Sequence, residues 1–111
     1  MNIAEKTENG VKVLMLSGRI DGQTAGDVEA AAIGLFDSEE KLVLDLSDVA
    51  FVSSAGLRVI LIGAKKMTAR KAAYGLCGVK PEVMEVFQMS GFNKILTFYD
   101  DQAAAMGALG S

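Results

Sequence analysis

The chain has 111 residues, 50% of them hydrophobic and 23% charged, which suits one folded domain of ordinary size and excludes intrinsic disorder. Eleven basic and 14 acidic side chains leave a formal net charge of −3, so general attraction to nucleic acid or anionic lipid is excluded as the main function. There is no histidine, which removes the Ser-His-Asp and Cys-His nucleophile systems and most zinc chemistry together.

The segment Met1 to Gly10 carries Glu5, Lys6 and Glu8 and has no apolar centre, so it is not read as a secretion signal. Ile3–Thr7 and the run Val11, Val13, Met15, with Leu14 and Leu16 opposite, flank Asn9-Gly10, a hairpin dipeptide, and are expected to pair. Past Ser17-Gly18, Thr24 is a candidate N-cap. The Ala-rich stretch behind it, with Val28, Ala31, Ala32 and Leu35 near helical spacing, predicts a helix from about Gln23 to Phe36. Lys41 to Leu46 is apolar on both faces, as in a central strand covered by helices. Ser47 to Ser53 reads as a connection into a second helix. There Leu57, Ile60, Leu61 and Ala64 line the apolar face, and Arg58, Lys65, Lys66 and Arg70 the wet one.

Ala72 to Cys77 reads as a further strand. The single Cys77 cannot form an intrachain disulfide; it reads as a buried core thiol in a reducing, cytosolic setting. Pro81 opens a third helix with Val83, Met84, Val86 and Phe87, and Gly91 ends it. Ile95–Tyr99 is expected as the last strand, Asp101–Leu109 as a final helix, and residues 110–111 as a disordered tail. The longest apolar runs, Ala30–Phe36 and Val59–Ala64, fall well short of the roughly 20 residues that span a bilayer, so a soluble protein is expected. The expected architecture is α/β, a mixed sheet in the order ββαβαβαβα, forming one domain over residues 1–109.

Chemistry concentrates at Phe51-Val52-Ser53-Ser54-Ala55-Gly56-Leu57. Two hydroxyls stand just before a helix, where unpaired N–H groups and the positive end of the dipole stabilise an anion. Two readings follow from the spacing: one serine is an N-cap worth about 1 kcal/mol, or a serine carries a phosphoryl group held by the same amides. Gly56, a poor helix former in the first turn, points to close backbone approach to a neighbour or a partner. By its own chemistry Asp21 reads as a turn residue that satisfies local backbone. Asp45 reads as structural. Arg58, one turn from Ser54, lies either on a solvated face or against an acidic partner.

The stretch Leu42-Val-Leu-Asp-Leu-Ser-Asp-Val-Ala-Phe-Val-Ser-Ser-Ala-Gly-Leu-Arg-Val-Ile-Leu61 resembles the signature of the STAS domain, the fold of bacterial anti-sigma factor antagonists. Leu16-Ser-Gly-Arg-Ile-Asp-Gly-Gln-Thr-Ala25 is similar to that family's second characteristic stretch, Gly-x-x-Asp followed by a helix. Element lengths agree from Ile3 to Leu109. The resemblance implies that Ser54 is phosphorylated by a cognate anti-sigma factor serine kinase, with Asp21, Ser53, Gly56 and Arg58 in partner and kinase recognition. It also implies resetting by a metal-dependent serine/threonine phosphatase, a cytoplasmic location, and no enzymatic activity, cofactor or metal of the chain's own. The free protein is expected to be a monomer. Ser53 stands where the family often has Asp, and Ala55 where a second hydroxyl is frequent, which narrows the candidate phosphosites. The alternative within the fold is a non-phosphorylated STAS subunit of another assembly, such as a lipid-transport complex. A receiver-like phosphoacceptor at Asp45 fits poorly, because Leu16-Ser17-Gly18-Arg19 supplies no acidic pair to hold Mg²⁺.

Overall fold

Asn9 and Gly10 both adopt positive φ, 53° and 78°, as a two-residue type I′ turn requires. They fold β1 (Asn2–Glu8) back on β2 (Val11–Ile20) as an antiparallel hairpin. In the computed structural model, which describes residues 1–110, four strands follow in parallel: β2 pairs with β3 (Lys41–Val52), β3 with β4 (Ala73–Cys77), and β4 with β5 (Phe98–Tyr99). The sheet order is β1-β2-β3-β4-β5, with β3 at the centre. Parallel neighbours need crossovers, and the helices α1 (Ala25–Ser38), α2 (Ser54–Ala69) and α3 (Pro81–Ser90) supply them.

Side chains alternate between the two faces of a strand, and both faces are covered here. Leu14, Leu16, Leu42, Leu44, Leu46 and Leu76 pack beneath α1, α2 and α3. On the opposite face Val11, Val13, Val43 and Cys77 meet Ala105 and Met106 of α4 (Gln102–Leu109). The element order is the expected ββαβαβαβα. Among the described residues no helix is long and apolar enough to cross a membrane.

Several placements differ from expectation. The connection expected from Ser47 is strand: β3 runs to Val52. Between Met15/Ser17 and again between Gly18/Arg19 of β2, β3 spends one residue more than its partner. These bulges change the spacing of buried residues from two to three, at Leu46, Val49 and Val52, so the alternation that marks a strand disappears. The last strand is shorter than Ile95–Tyr99. A 3₁₀ turn at Phe92–Lys94 takes the amides of Ile95 and Leu96 onto the Phe92 carbonyl, leaving Phe98 and Tyr99 to pair with Leu76 and Cys77. Arg70 is not on the wet face; half-buried, it donates to the carbonyls of Phe36 and Glu39, each at 2.9 Å, and ties α2 to the end of α1. Gly110, expected in a disordered tail, closes α4 with its N–H on the Met106 carbonyl at 2.7 Å; Ser111 lies outside the described residues.

Candidate functional site

The carboxyl ends of β2 and β3 lie side by side, Ile20 opposite Val52. From these ends the chain leaves in two turns, Asp21–Thr24 into α1 and Ser53 into α2. The Ser53 backbone N–H donates to the Ile20 carbonyl at 2.8 Å, so the two turns form one rim. Open α/β sheets place their functional groups at this end of the strands.

The Asp21 carboxylate points into its own turn. Its Oδ1 accepts from the backbone N–H of Gln23 at 2.9 Å and of Thr24 at 3.1 Å. These bonds, Gln23's first, hold its pKa below the ordinary value of 3.8. Thr24 has the N-cap position but no capping bond. Its hydroxyl instead accepts from the Asp21 amide at 2.9 Å and donates to the Arg19 carbonyl at 2.6 Å. Asp21 and Thr24 thus lock the loop, and α1 begins at Ala25, later than the expected Gln23.

Ser53 and Ser54 have different jobs. Ser53 is extended, φ −84° and ψ 175°, and its Oγ accepts from the Gly56 N–H at 3.3 Å as the cap of α2. Ser54 is the first residue of the helix and is exposed. Gly56 is buried, and a Cβ there would lie 2.6 Å from Ile20 Cγ2 and 3.0 Å from Val52 Cγ1. Its close neighbour is therefore the end of the sheet. Gly56 shapes the rim from below; of its two expected readings, close approach to a neighbour is the one its packing shows.

Arg58 is exposed one turn beyond Ser54. The two share a groove of about 560 Å³ whose other walls include Leu57, Leu61, Lys65 and Phe92. A second groove, of about 600 Å³, continues past Ala64 and Thr68 to Ile95, which is 64% exposed. No acidic residue occupies the first turn of α2 to offset the dipole. Among the described residues Arg58 and Lys65 have no ion-pair partner, whereas Lys66 is held by Asp37 at 3.1 Å.

Sequence reasoning missed two contacts. The Arg19 guanidinium lies 4.4 Å from the centroid of the Phe51 ring, a cation–π contact on the same rim. The bulges bring these residues opposite each other, and bulges leave no local sequence mark. On the far sheet face Asp45, 8% exposed, accepts from the Ser47 backbone N–H at 2.9 Å and from the side-chain amide of Gln102 on α4. Burial pushes the Asp45 carboxyl up, but the bonds from Gln102 and then Ser47 outweigh it and hold the pKa below 3.8. Asp45 is structural, as its sequence context suggests. Cys77 is fully buried, and burial, with Asp45 and Asp101 nearby, pushes its thiol up to about 12, which leaves it inert. Among the described residues no cluster of three or more Cys, Asp or Glu side chains could hold a metal.

Residues 2–105 match the STAS domain. The chain belongs to the STAS family. This STAS domain is 37% identical over 101 residues to BtrV of Bordetella bronchiseptica, described as an anti-sigma factor antagonist, covering 90% of this chain and 87% of that one. It is 32% identical over 113 residues to the anti-sigma F factor antagonist of Paenibacillus polymyxa, covering 98% and 97%. Its fold superimposes on an anti-sigma factor antagonist from Mycobacterium paratuberculosis with a TM-score of 0.91 at 28% identity, over 99% and 94% of the two chains. The phosphorylated form of the Bacillus cell fate determinant SpoIIAA shares the fold, with a TM-score of 0.74 at 16% identity over 96% and 99%.

Proposed function

We propose that this STAS domain is an anti-sigma factor antagonist that binds a serine-kinase anti-sigma factor while unphosphorylated and lets it go once Ser54 is phosphorylated. The observation that carries this reading is the division of labour in the α2 turn. The Ser53 hydroxyl is committed to the helix cap, and Ser54 stands exposed and lines a groove. The names of relatives matched over nearly the whole chain support it. In the transfer, Ser54 Oγ bonds to the γ-phosphorus of ATP and the bond from that phosphorus to ADP breaks. The hydroxyl proton passes to a base of the kinase. The product carries about −1.5 to −2 of charge at the centre of the contact, which repels an acidic surface or leaves the charge buried without a partner. Hydrolysis by a metal-dependent phosphatase returns the hydroxyl and releases inorganic phosphate. The domain is then a substrate and a switch in the cytoplasm, with no catalytic residues or cofactor of its own.

The binding surface comprises the Asp21 loop, Ser53, Ser54 and Arg58, with Asp21 and Ser53 holding the turns in place. The test is incubation with the cognate kinase and ATP, followed by intact-mass analysis and peptide mapping. A single phosphoryl group on Ser54, loss of kinase binding on its addition, and constitutive binding by Ser54→Ala are expected. A phosphoryl group mapped to Ser53 or elsewhere refutes the assignment.

A further inference from the structure

We infer that Arg58 is the internal counter-ion of a phosphoryl group on Ser54, so that modification both adds charge to the rim and withdraws Arg58 from the partner; this rests on the reading of Ser54 as the phosphorylated residue. Ser54 and Arg58 are the first and fifth residues of α2. That spacing sets them on one face, about 6 Å apart along the axis, with the anion N-terminal to the cation, the favourable order for such a pair. Both are exposed and line the same groove.

The other cations near the rim are placed differently. The Arg19 guanidinium lies over the Phe51 ring, in the strand pair and not on α2, Lys66 is paired with Asp37, and Arg70 is bound to the end of α1. Lys65 follows Ser54 by eleven residues, about 16 Å along the helix, beyond reach of the phosphate. A guanidinium matches a phosphate dianion with two parallel N–H donors. In the unmodified protein Arg58 is free to meet an acidic partner; in the modified protein it is occupied.

The experiment uses the full chain with phosphoserine incorporated genetically at position 54, so no kinase is involved. The second ionisation of the phosphate, ordinarily near pH 6, is followed by ³¹P NMR at low salt. Arg58→Gln should raise that midpoint by about 0.3 pH unit, Arg58→Lys should restore part of the shift, and Lys65→Gln should leave it unchanged. The difference should shrink as salt is raised. Coincident titrations of the wild-type and Arg58→Gln proteins at low salt, or an equal shift from Lys65→Gln, overturn the inference. A kinase that phosphorylates some other residue would refute the reading of Ser54 instead, and would leave this titration result standing.

Discussion

Gly56 and Ile20 are packed so closely that a methyl group on the glycine would stand 2.6 Å from Ile20 Cγ2. Ile20 is fully buried and β-branched, so it has little room to turn away. This contact lets the first turn of α2 sit directly on the ends of β2 and β3. Gly56→Ala should therefore lower stability by about 1–3 kcal/mol, measured by urea unfolding. The double variant with Ile20→Ala should lose less than the sum of the two single changes. An unchanged midpoint for Gly56→Ala would contradict the close packing.

The two serines of the α2 turn should separate cleanly in the same measurement. Ser53→Ala removes the oxygen that accepts from the Gly56 N–H and should cost about 1 kcal/mol. Ser54→Ala removes an exposed hydroxyl at the first helical position and should change stability by less than about 0.5 kcal/mol. Equal costs would mean that the cap is not Ser53.

The bond from Gln102 to Asp45 links α4 to the central strand and makes stability depend on pH. The folded-state pKa of Asp45 lies below its ordinary 3.8. Its contribution is therefore fully present above that value and is lost as pH falls through the folded pKa. Gln102→Ala should destabilise by on the order of 1–2 kcal/mol at neutral pH. Its deficit against wild type should narrow as pH drops below 3.8, read from denaturant midpoints across an acid series. A deficit that stays constant into strong acid would mean that the ionised carboxylate is not what Gln102 holds.

Lys71 ends α2 in the left-handed region, φ 60°. Its N–H reaches the Thr68 carbonyl at 3.0 Å, and that of Ala72 reaches Met67 at 2.8 Å. Glycine occupies such a C-terminal position without steric cost. Lys71→Gly should raise stability by up to about 1 kcal/mol, visible as a higher melting temperature. Destabilisation would show that the exposed lysine makes a contribution larger than its backbone strain.

Local pattern carries far in this chain. The Asn9-Gly10 turn, the two-faced strand at Lys41–Leu46, Pro81 at the start of α3 and Gly91 at its end each depend on a few adjacent residues, and each stands where its chemistry puts it. The Ser-Ser-Ala-Gly-Leu turn and the Gly-x-x-Asp loop were legible for the same reason, and with them the STAS fold.

Tertiary structure decided what depends on register between distant segments. Two bulges in β3 extend the strand to Val52 and put Phe51 beneath the Arg19 guanidinium. No spacing in the sequence shows them, because a bulge is defined by the partner strand. Which serine caps α2 depends on the extended backbone at Ser53, which the bond from its N–H to Ile20 holds in place. The role of Gly56 depends on the side chain above which the helix lands. Asp45 finds Gln102, 57 positions away, only because α4 crosses to the opposite face of the sheet. Local sequence sets which elements form, since propensity and periodicity act over one or two turns, but the pairing of side chains at the rim arises only when those elements are assembled.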